Sequence, residues 1–410
     1  MNAICDIKDC TACGACENIC PKGCIKKCMD MSGVWTMKIN ESECINCGLC
    51  RRVCPNNSSL QLNYPNKAYA GWSEQNEVHK NAASGGIAAE LYEYAADNGF
   101  LFAGVSLNRE FEAHYELTGQ KDRISEFQNS KYTFSFMDDI YIQIRDALAN
   151  NKKVLFIGLP CQVAALKNFL NAWGGVWNDA LLTVDLVCHG TPPSTYLKQH
   201  IHAIAKDKAN RCEFRDPRYG TENYIFSLYG TGLRTPFYKK KVVGDDCYQI
   251  GYHSAIIYRN CCYNCIYARC ERVGDLTIGD YHGLGKLDKY SHNRRAVSCI
   301  LANTQKGLEV LQILSKRHVI LHERPVEEPL KYEKMFNHPS IAPKERELFL
   351  MYYEKFGQFE EAAKLAFKKK ILINRIKAAL YIPEIKKGIR KHIPDWVVAA
   401  IKGEKKYKKE

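Results

Sequence analysis

Residues 10–21 read CTACGACENICP, and residues 44–55 repeat the arrangement as CINCGLCRRVCP. Both follow C-x2-C-x2-C-x3-C-P. In each copy three cysteines lie within seven residues, close enough for three thiolates to face one iron–sulfur cube. The fourth is set apart, and in two-cluster ferredoxins it ligates the cluster of the other copy. The expected ligand sets are therefore Cys10, Cys13 and Cys16 with Cys54, and Cys44, Cys47 and Cys50 with Cys20. Zinc also takes thiolates in C-x2-C pairs, but it does not account for a third cysteine after a further x2, given twice. Between the copies VWTMKIN alternates like a short strand. The reading for this end of the chain is a small α+β ferredoxin-like domain with two [4Fe–4S] clusters. Cys5, Cys24 and Cys28 lie outside the pattern and read as small buried side chains.

Twenty cysteines in 410 residues demand an explanation of the redox compartment. Disulfides need an oxidising compartment and an export signal. The N-terminus, MNAICDIKDC, has neither a basic start nor an apolar run. No stretch approaches the ~20 apolar residues of a membrane span. The expected setting is thus reducing and cytoplasmic, with the cysteines as metal ligands or redox groups.

Charge is distributed unevenly. The formal net charge is +13, and from Lys364 to the end fifteen Lys/Arg face four Asp/Glu. Most of the excess is a tail rather than a basic face on the body, which argues against nucleic-acid binding. Leu372, Ile376 and Leu380 recur every four residues among the cations. They would form an apolar stripe on a basic helix, suited to an anionic membrane surface or to packing on the chain's own core.

Between these ends the chain alternates strand and helix. PNNSSLQLNYPNK is polar and rich in Pro and Asn and reads as a linker. SGGIAAELYEYAADNG is a helix closed by Asn98-Gly99; KKVLFIG is a buried strand and VAALKNFLNAW the helix after it. LLTVDLV is a second strand, followed by the helix PPSTYLKQHIHAIA. This order predicts an α/β domain with a mixed or mostly parallel sheet. The segment from Glu213 to Gly251 is richer in Tyr, Phe and Gly and reads as more β-like; from Pro343 onward the chain turns helical.

Three local features carry chemistry. Ser84-Gly85-Gly86 opens a helix, where free N–H groups and the dipole attract phosphate. Cys161, in GLPCQ, follows one strand at a helix N-terminus, and Cys188-His189-Gly190 follows another. If the two strands are parallel neighbours, both cysteines emerge at the carboxyl edge of the sheet, where open α/β folds bind ligands. A further cluster, CCYNCIYARC, supplies Cys261, Cys262, Cys265 and Cys270.

In this order the motifs ASGG (83–86), SKY (130–132), VLFIGLPCQVAALKNFL, LLTVDLVCHGTPPS, FRDP, CCYNC and RVGDLTIGDYHG resemble the coenzyme F-420 hydrogenase/dehydrogenase beta-subunit family, over roughly Asn81 to Thr304. The chain departs from the family pattern in having Leu before the proline of GLPCQ, where Thr is common, and His282, where an aromatic is common. The resemblance implies a module that holds FAD and a further [4Fe–4S] cluster. FAD would be bound by Ser84, Gly85 and Gly86 at its phosphates, Lys131 nearby, and Tyr132 and His189. The third cluster would be held by Cys161, Cys188, Cys262 and Cys265. A local alternative uses Cys261 or Cys262 with Cys265 and Cys270, for zinc or as buried thiols. The implied domains are a ferredoxin domain at 1–60, a linker at 61–80, the flavin and iron–sulfur domain at 81–340 and a basic helical tail at 341–410. The implied activity is that of an iron–sulfur flavoprotein oxidoreductase. Clusters carry single electrons, whereas most organic reductions need two, and a flavin mediates between them. The expected partners are a ferredoxin or another redox subunit, an organic two-electron acceptor or donor and, through the tail, an anionic membrane surface. The alternative is a non-catalytic electron-relay subunit of a larger redox complex.

Overall fold

The computed structural model describes residues 3–380 except 58, 59, 176, 178 and 292–295. At the N-terminal end, β1 (Ile25–Met29) and β2 (Trp35–Ile39) form an antiparallel hairpin in which Ile25 faces Ile39 and Met29 faces Trp35. Two short helices, Ala15–Ile19 and Leu49–Val53, carry the third cysteine of each copy. Each starts from a glycine with positive φ, Gly14 at +79° and Gly48 at +73°. A side chain is disfavoured in that conformation, so the residue directly after the second cysteine of each loop is Gly. The small α+β unit expected from the sequence is present.

The larger part is built on a nine-stranded mixed sheet, to which the chain contributes β3 (Lys67–Ser73), β4 (Leu101–Leu107), β5 (Ala113–Thr118), β6 (Ser135–Phe136), β7 (Val154–Gly158) and β8 (Leu181–Leu186). A separate three-stranded antiparallel sheet follows, from β9 (Arg211–Glu213), β10 (Ile225–Tyr229) and β11 (Tyr238–Lys241). The large sheet is completed by β12 (Leu276–Asp280), β13 (Ser298–Ala302) and β14 (Val319–Arg324), in the order β14-β3-β13-β12-β8-β7-β4-β5-β6. The central strands β12, β8, β7 and β4 run parallel, and β5 and β6 also pair in parallel. The remaining pairs are antiparallel.

One sequence expectation is corrected. Part of the stretch read as a linker, 61–80, is β3, which lies between β13 and β14, and residues Asn76–Asn81 form a short helix. The partners of β3 are more than 200 residues away in sequence, so no local window reveals the pairing.

The core has layers on both faces of the sheet. Leu155 and Ile157 of β7 point one way, with Leu182, Val184 and Ile278, onto Ile87 and Leu91 of the helix Ile87–Asp97. Val154 and Phe156 point the other way, onto Val163, Leu166 and Phe169 of the helix Pro160–Ala172. Burial on both faces explains why KKVLFIG and LLTVDLV are continuous apolar runs rather than alternating ones. The second layer continues into the N-terminal unit through Cys13, Cys16, Ile19 and Val53. Directed bonds reinforce that seam. Tyr141 donates its hydroxyl to the Cys13 carbonyl at 3.0 Å, and Tyr267 donates to that of Pro55 at 2.7 Å.

A third cluster joins the small sheet to the C-terminal helices through Phe214, Phe226, Tyr248, Phe349, Phe359 and Phe367. Those helices are Glu345–Phe356, Phe359–Ala366 and Lys368–Leu380. Of the tail stripe, Leu372 and Ile376 are exposed, whereas Leu380's side chain lies outside what the structure describes, as do residues 381–410. Among the described residues no helix is long and apolar enough to cross a membrane.

Candidate functional site

Four cavities are lined by the cysteines and motif residues that the sequence singles out. The first is lined by Cys44, Cys47 and Cys50 together with Cys20. The second is lined by Cys10, Cys13 and Cys16 together with Cys54. In both, the outlying cysteine of one sequence copy faces the triplet of the other, the crossing expected of paired ferredoxin loops. Each cavity also has a fifth thiol that the pattern passes over. Cys24 lines the first, with its Sγ 3.4 Å from that of Cys20, and Cys5 lines the second.

The third cavity draws on four distant points in the chain. Cys161 sits in the first turn of the helix that follows β7, and Cys188 lies just past β8. β7 and β8 are parallel neighbours, with Gly158 opposite Asp185, so both residues emerge at the same sheet edge. Cys262 and Cys265 complete the lining, with Cys261 beside them and Thr11 contributed by the N-terminal unit. Cys270 is not in that wall; its thiol faces Glu271 Oε2 at 3.4 Å. The distributed cysteines, rather than the local set with Cys270, share a cavity.

Two buried arginines hold this third site. Arg272 donates through Nε to Asp185 Oδ1 at 3.1 Å and through Nη1 to the Tyr267 carbonyl at 3.1 Å, while Gly274 N–H donates to Asp185 Oδ2 at 2.7 Å. Asp185 is the charged residue inside LLTVDLV, and pairing of this kind is what makes a fully buried carboxylate tolerable. The segment after Cys265 is thereby fastened to β8. Arg259, also buried, donates through Nε to Thr191 Oγ1 at 3.0 Å, and Thr191 N–H points at Cys262 Sγ, 3.4 Å away.

The fourth cavity is the large one, about 470 Å³, within the range of small-molecule and cofactor sites. Leu159, Cys188, Gly190 and Thr191 line both it and the third cavity. Of the residues expected to meet a flavin, Ser84, Gly86, Lys131, Tyr132 and His189 line its wall. Gly85 does not. Its N–H is donated to Ser298 Oγ at 2.9 Å, and a Cβ there would collide with the Gly71 carbonyl oxygen. Gly85 is glycine because β3 and β13 press against it, so its N–H is not available to a phosphate. Gly86, at φ +90°, starts the helix Ile87–Asp97; the first-turn N–H groups, which have no intrahelical acceptor, open at this wall.

Lys131 donates Nζ to the carbonyls of Glu126 and Gln128 at 2.7 and 2.6 Å, and burial pushes its pKa down to about 8. Tyr132 stacks on Tyr252, with ring centroids 4.3 Å apart, and its hydroxyl accepts from Arg215 Nε at 2.6 Å. Arg215 also pairs with Asp280 and donates to the Ala83 carbonyl. Tyr224 donates to Asp280 Oδ2 at 2.7 Å. Burial alone would push the Asp280 carboxyl up, but the Arg215 guanidinium outweighs it and holds the group below the ordinary carboxylate value. Burial, followed by the Arg215 charge, pushes His253 down to about 4, so its imidazole is neutral at pH 7.

Arg215 and Asp280 belong to the quoted motifs FRDP and GDYHG, but no local signal gave either a role. Tyr252, His253 and Glu333 had no signal at all. They reach the cavity from separate elements, and only the tertiary structure brings them together.

Comparisons with known proteins agree with the motif series. Residues 151–328 match the family described as the C terminus of the coenzyme F420 hydrogenase/dehydrogenase beta subunit. Residues 37–58, which contain the second cysteine copy, match the 4Fe-4S binding domain. Among solved structures, a chain of the F420-reducing [NiFe] hydrogenase complex from Methanosarcina barkeri is 17% identical. The alignment covers 77% of this chain and 92% of that one, with a TM-score of 0.41. No curated protein matches. The resemblance drawn from the motifs is borne out, and the chain is an iron–sulfur electron-transfer protein of oxidoreductase type.

Proposed function

We propose that the chain is an iron–sulfur flavoprotein oxidoreductase that exchanges electrons between a ferredoxin or redox subunit and an organic two-electron substrate. The proposed ligand sets are Cys20, Cys44, Cys47 and Cys50; Cys10, Cys13, Cys16 and Cys54; and Cys161, Cys188, Cys262 and Cys265. Each would hold one [4Fe–4S] cluster, and FAD would occupy the large cavity. When bound, the clusters would supply single-electron relay and the flavin the conversion between one- and two-electron chemistry.

The observation that carries this reading is the adjacency of the cavities. Thr11 lines both the second and the third, and Cys188 lines both the third and the large one. A non-polar seam and buried arginines fasten the walls to one another, which suits a relay whose sites must keep fixed separations. In the large cavity the residues divide by role. The turn at Gly86 and the Lys131 ammonium would receive phosphate oxygens. The Tyr132–Tyr252 stack offers a flat aromatic wall, and the Arg215–Asp280 pair fixes Tyr132 by its hydroxyl.

The test is a cofactor inventory of the anaerobically purified full-length chain. The expected result is about twelve irons, at four per cluster, with FAD released on denaturation in about equal amount to the chain. Iron without flavin, and no uptake of added FAD, would favour the relay-subunit alternative. Stoichiometric zinc without acid-labile sulfide would overturn the cluster assignment.

The tail supports a peripheral membrane contact. The helix Lys368–Leu380 packs inward through Ile371, Asn374 donates to the Gly244 carbonyl at 2.7 Å, and Arg375 pairs with Asp245 at 3.0 Å. Leu372, Ile373 and Ile376 are left exposed, on a segment rich in lysine and suited to an anionic surface.

A further inference from the structure

Two histidines and a glutamate lining the large cavity form a group that the cluster reading does not use and of which the flavin reading draws on His189 alone. His189 follows β8 and His282 follows β12, and these strands are parallel neighbours, with Leu276 opposite Val184. Both imidazoles therefore leave the sheet at the same edge. Glu333 comes from elsewhere, at the junction between the helix Glu327–Tyr332 and the 3-10 turn Lys334–Phe336. Its Oε1 accepts from Met335 N–H at 2.9 Å, which fixes the carboxylate. Its Oε2 lies 3.7 Å from His189 Nε2 and 3.5 Å from His282 Nε2.

These distances discriminate between a hydrogen-bonded triad and a shared cation. An N–H···O hydrogen bond spans about 2.7–3.2 Å, and both separations exceed it. Ligand atoms about 2.0–2.1 Å from a tetrahedral ion stand about 3.3 Å apart, which is close to both. The three ligand atoms all lie within 4.8 Å of one another. The ring planes are inclined at 77°, so the imidazoles do not stack and two nitrogen edges approach one carboxylate oxygen.

Burial points the same way. The Glu333 side chain is 4% exposed, and among the described residues no hydrogen bond reaches its Oε2. Oε1 is paired with the Met335 N–H, while Oε2 faces the two imidazole nitrogens at more than hydrogen-bond distance. An ion between the three would engage Oε2 directly. The imidazoles themselves are about half exposed and line the cavity.

We propose that His189 Nε2, His282 Nε2 and Glu333 Oε2 form a three-ligand site for a divalent first-row transition-metal ion. Two imidazoles and one carboxylate are a donor set for Zn²⁺ or for Fe²⁺ and Mn²⁺, and three protein ligands leave positions open. The open side faces the cavity. If the flavin reading holds, the ion sits where a carbonyl or carboxylate oxygen of the organic substrate can complete its coordination, so the substrate class is one with such an oxygen. The site differs from the cysteine sets in chemistry, since oxygen and imidazole donors replace thiolates.

The experiment uses the full chain, purified anaerobically, with its clusters oxidised, in metal-free buffer. MnCl₂ is titrated in while the free Mn²⁺ signal is followed by electron paramagnetic resonance; Mn²⁺ is chosen because thiolates compete poorly for it. The expected result is one high-affinity Mn²⁺ per chain, displaced by Zn²⁺, with affinity lowered at least about tenfold in His282→Ala and in Glu333→Gln. Glu333 also caps a turn, so Glu333→Gln carries a folding risk. His282→Ala, at an exposed position, does not, and retained iron content establishes its fold. No stoichiometric uptake of Mn²⁺, or uptake unchanged in His282→Ala, overturns the proposal. Flavin content is read on the same samples, so failure of this site and failure of the flavin reading are told apart.

Discussion

Arg259 Nη1 donates to the carbonyl oxygen of Thr11 at 2.6 Å. Thr11 lies between Cys10 and Cys13, and Arg259 lies just before Cys261 and Cys262. One buried guanidinium therefore ties the N-terminal loop to the third cysteine site, and through Thr191 to the segment after β8. Arg259→Leu should remove that tie and leave the Thr11 carbonyl unpaired. Hydrogen exchange at residues 10–14 should speed up by about tenfold or more, an opening cost reduced by at least about 1.4 kcal/mol, while β8 keeps its protection. Unchanged exchange in the loop would count against Arg259 as the link.

The third cysteine set makes a contrast between residues close in sequence. Cys161→Ser and Cys265→Ser should each cost about four irons per chain, one cube's worth. Cys270→Ser should cost none, because its thiol faces Glu271 rather than the cavity. Iron analysis after anaerobic purification decides it, and loss on Cys270→Ser with none on Cys161→Ser would reinstate the local set.

Lys131 gives the large cavity a pH signature. Burial lowers its pKa to about 8, so a phosphate-binding role requires FAD affinity to fall as pH rises through that value. Lys131→Gln should weaken FAD binding about tenfold at pH 7, near 1.4 kcal/mol, and flatten the profile. Fluorescence titration of the deflavinated chain reads both. A wild-type profile with no decline between pH 7 and 9 argues that Lys131 does not meet the phosphates.

His200 makes a prediction about stability rather than binding. It is buried between Asp246 Oδ2 at 3.0 Å and Glu360 Oε2 at 2.9 Å. Burial alone would lower its pKa, but the two carboxylates outweigh it and raise it to about 9. The folded value lies above the unfolded 6.5, so the stabilisation is complete below pH 6.5 and is lost as pH rises through 9. Its size is on the order of 3 kcal/mol. The anaerobic Tm should fall between pH 6 and 9.5 more steeply in the wild type than in His200→Gln; parallel curves would rule this out.

The tail contact is tested without disturbing the core. Leu372 and Ile376 are exposed while Ile371 is buried, so the double variant L372E/I376E removes the apolar stripe and leaves the packing face. Wild-type chain should pellet with anionic vesicles and not with neutral ones, and the variant should stay in solution. Equal pelleting of the two proteins would discard the membrane contact.

Features under short-range control are legible from the residues alone. Three cysteines within seven residues, with a glycine at the positive-φ turn between the second and third, constrain a loop whatever surrounds it. Strands buried on both faces read as apolar runs, so β7 and β8 and the helices after them were legible with their cysteines in place. The tertiary structure alone decided everything that depends on distant contacts. It made Lys67–Ser73 a strand by pairing it with β13 and β14, and it turned Cys270 away from the cavity that Cys161 and Cys188 share. It also committed the Gly85 N–H to Ser298. Arg215, Asp280 and Glu333 became neighbours of one cavity through elements far apart in the chain. A single residue does not encode such meetings, because they follow from which faces of the sheet and helices must be buried together.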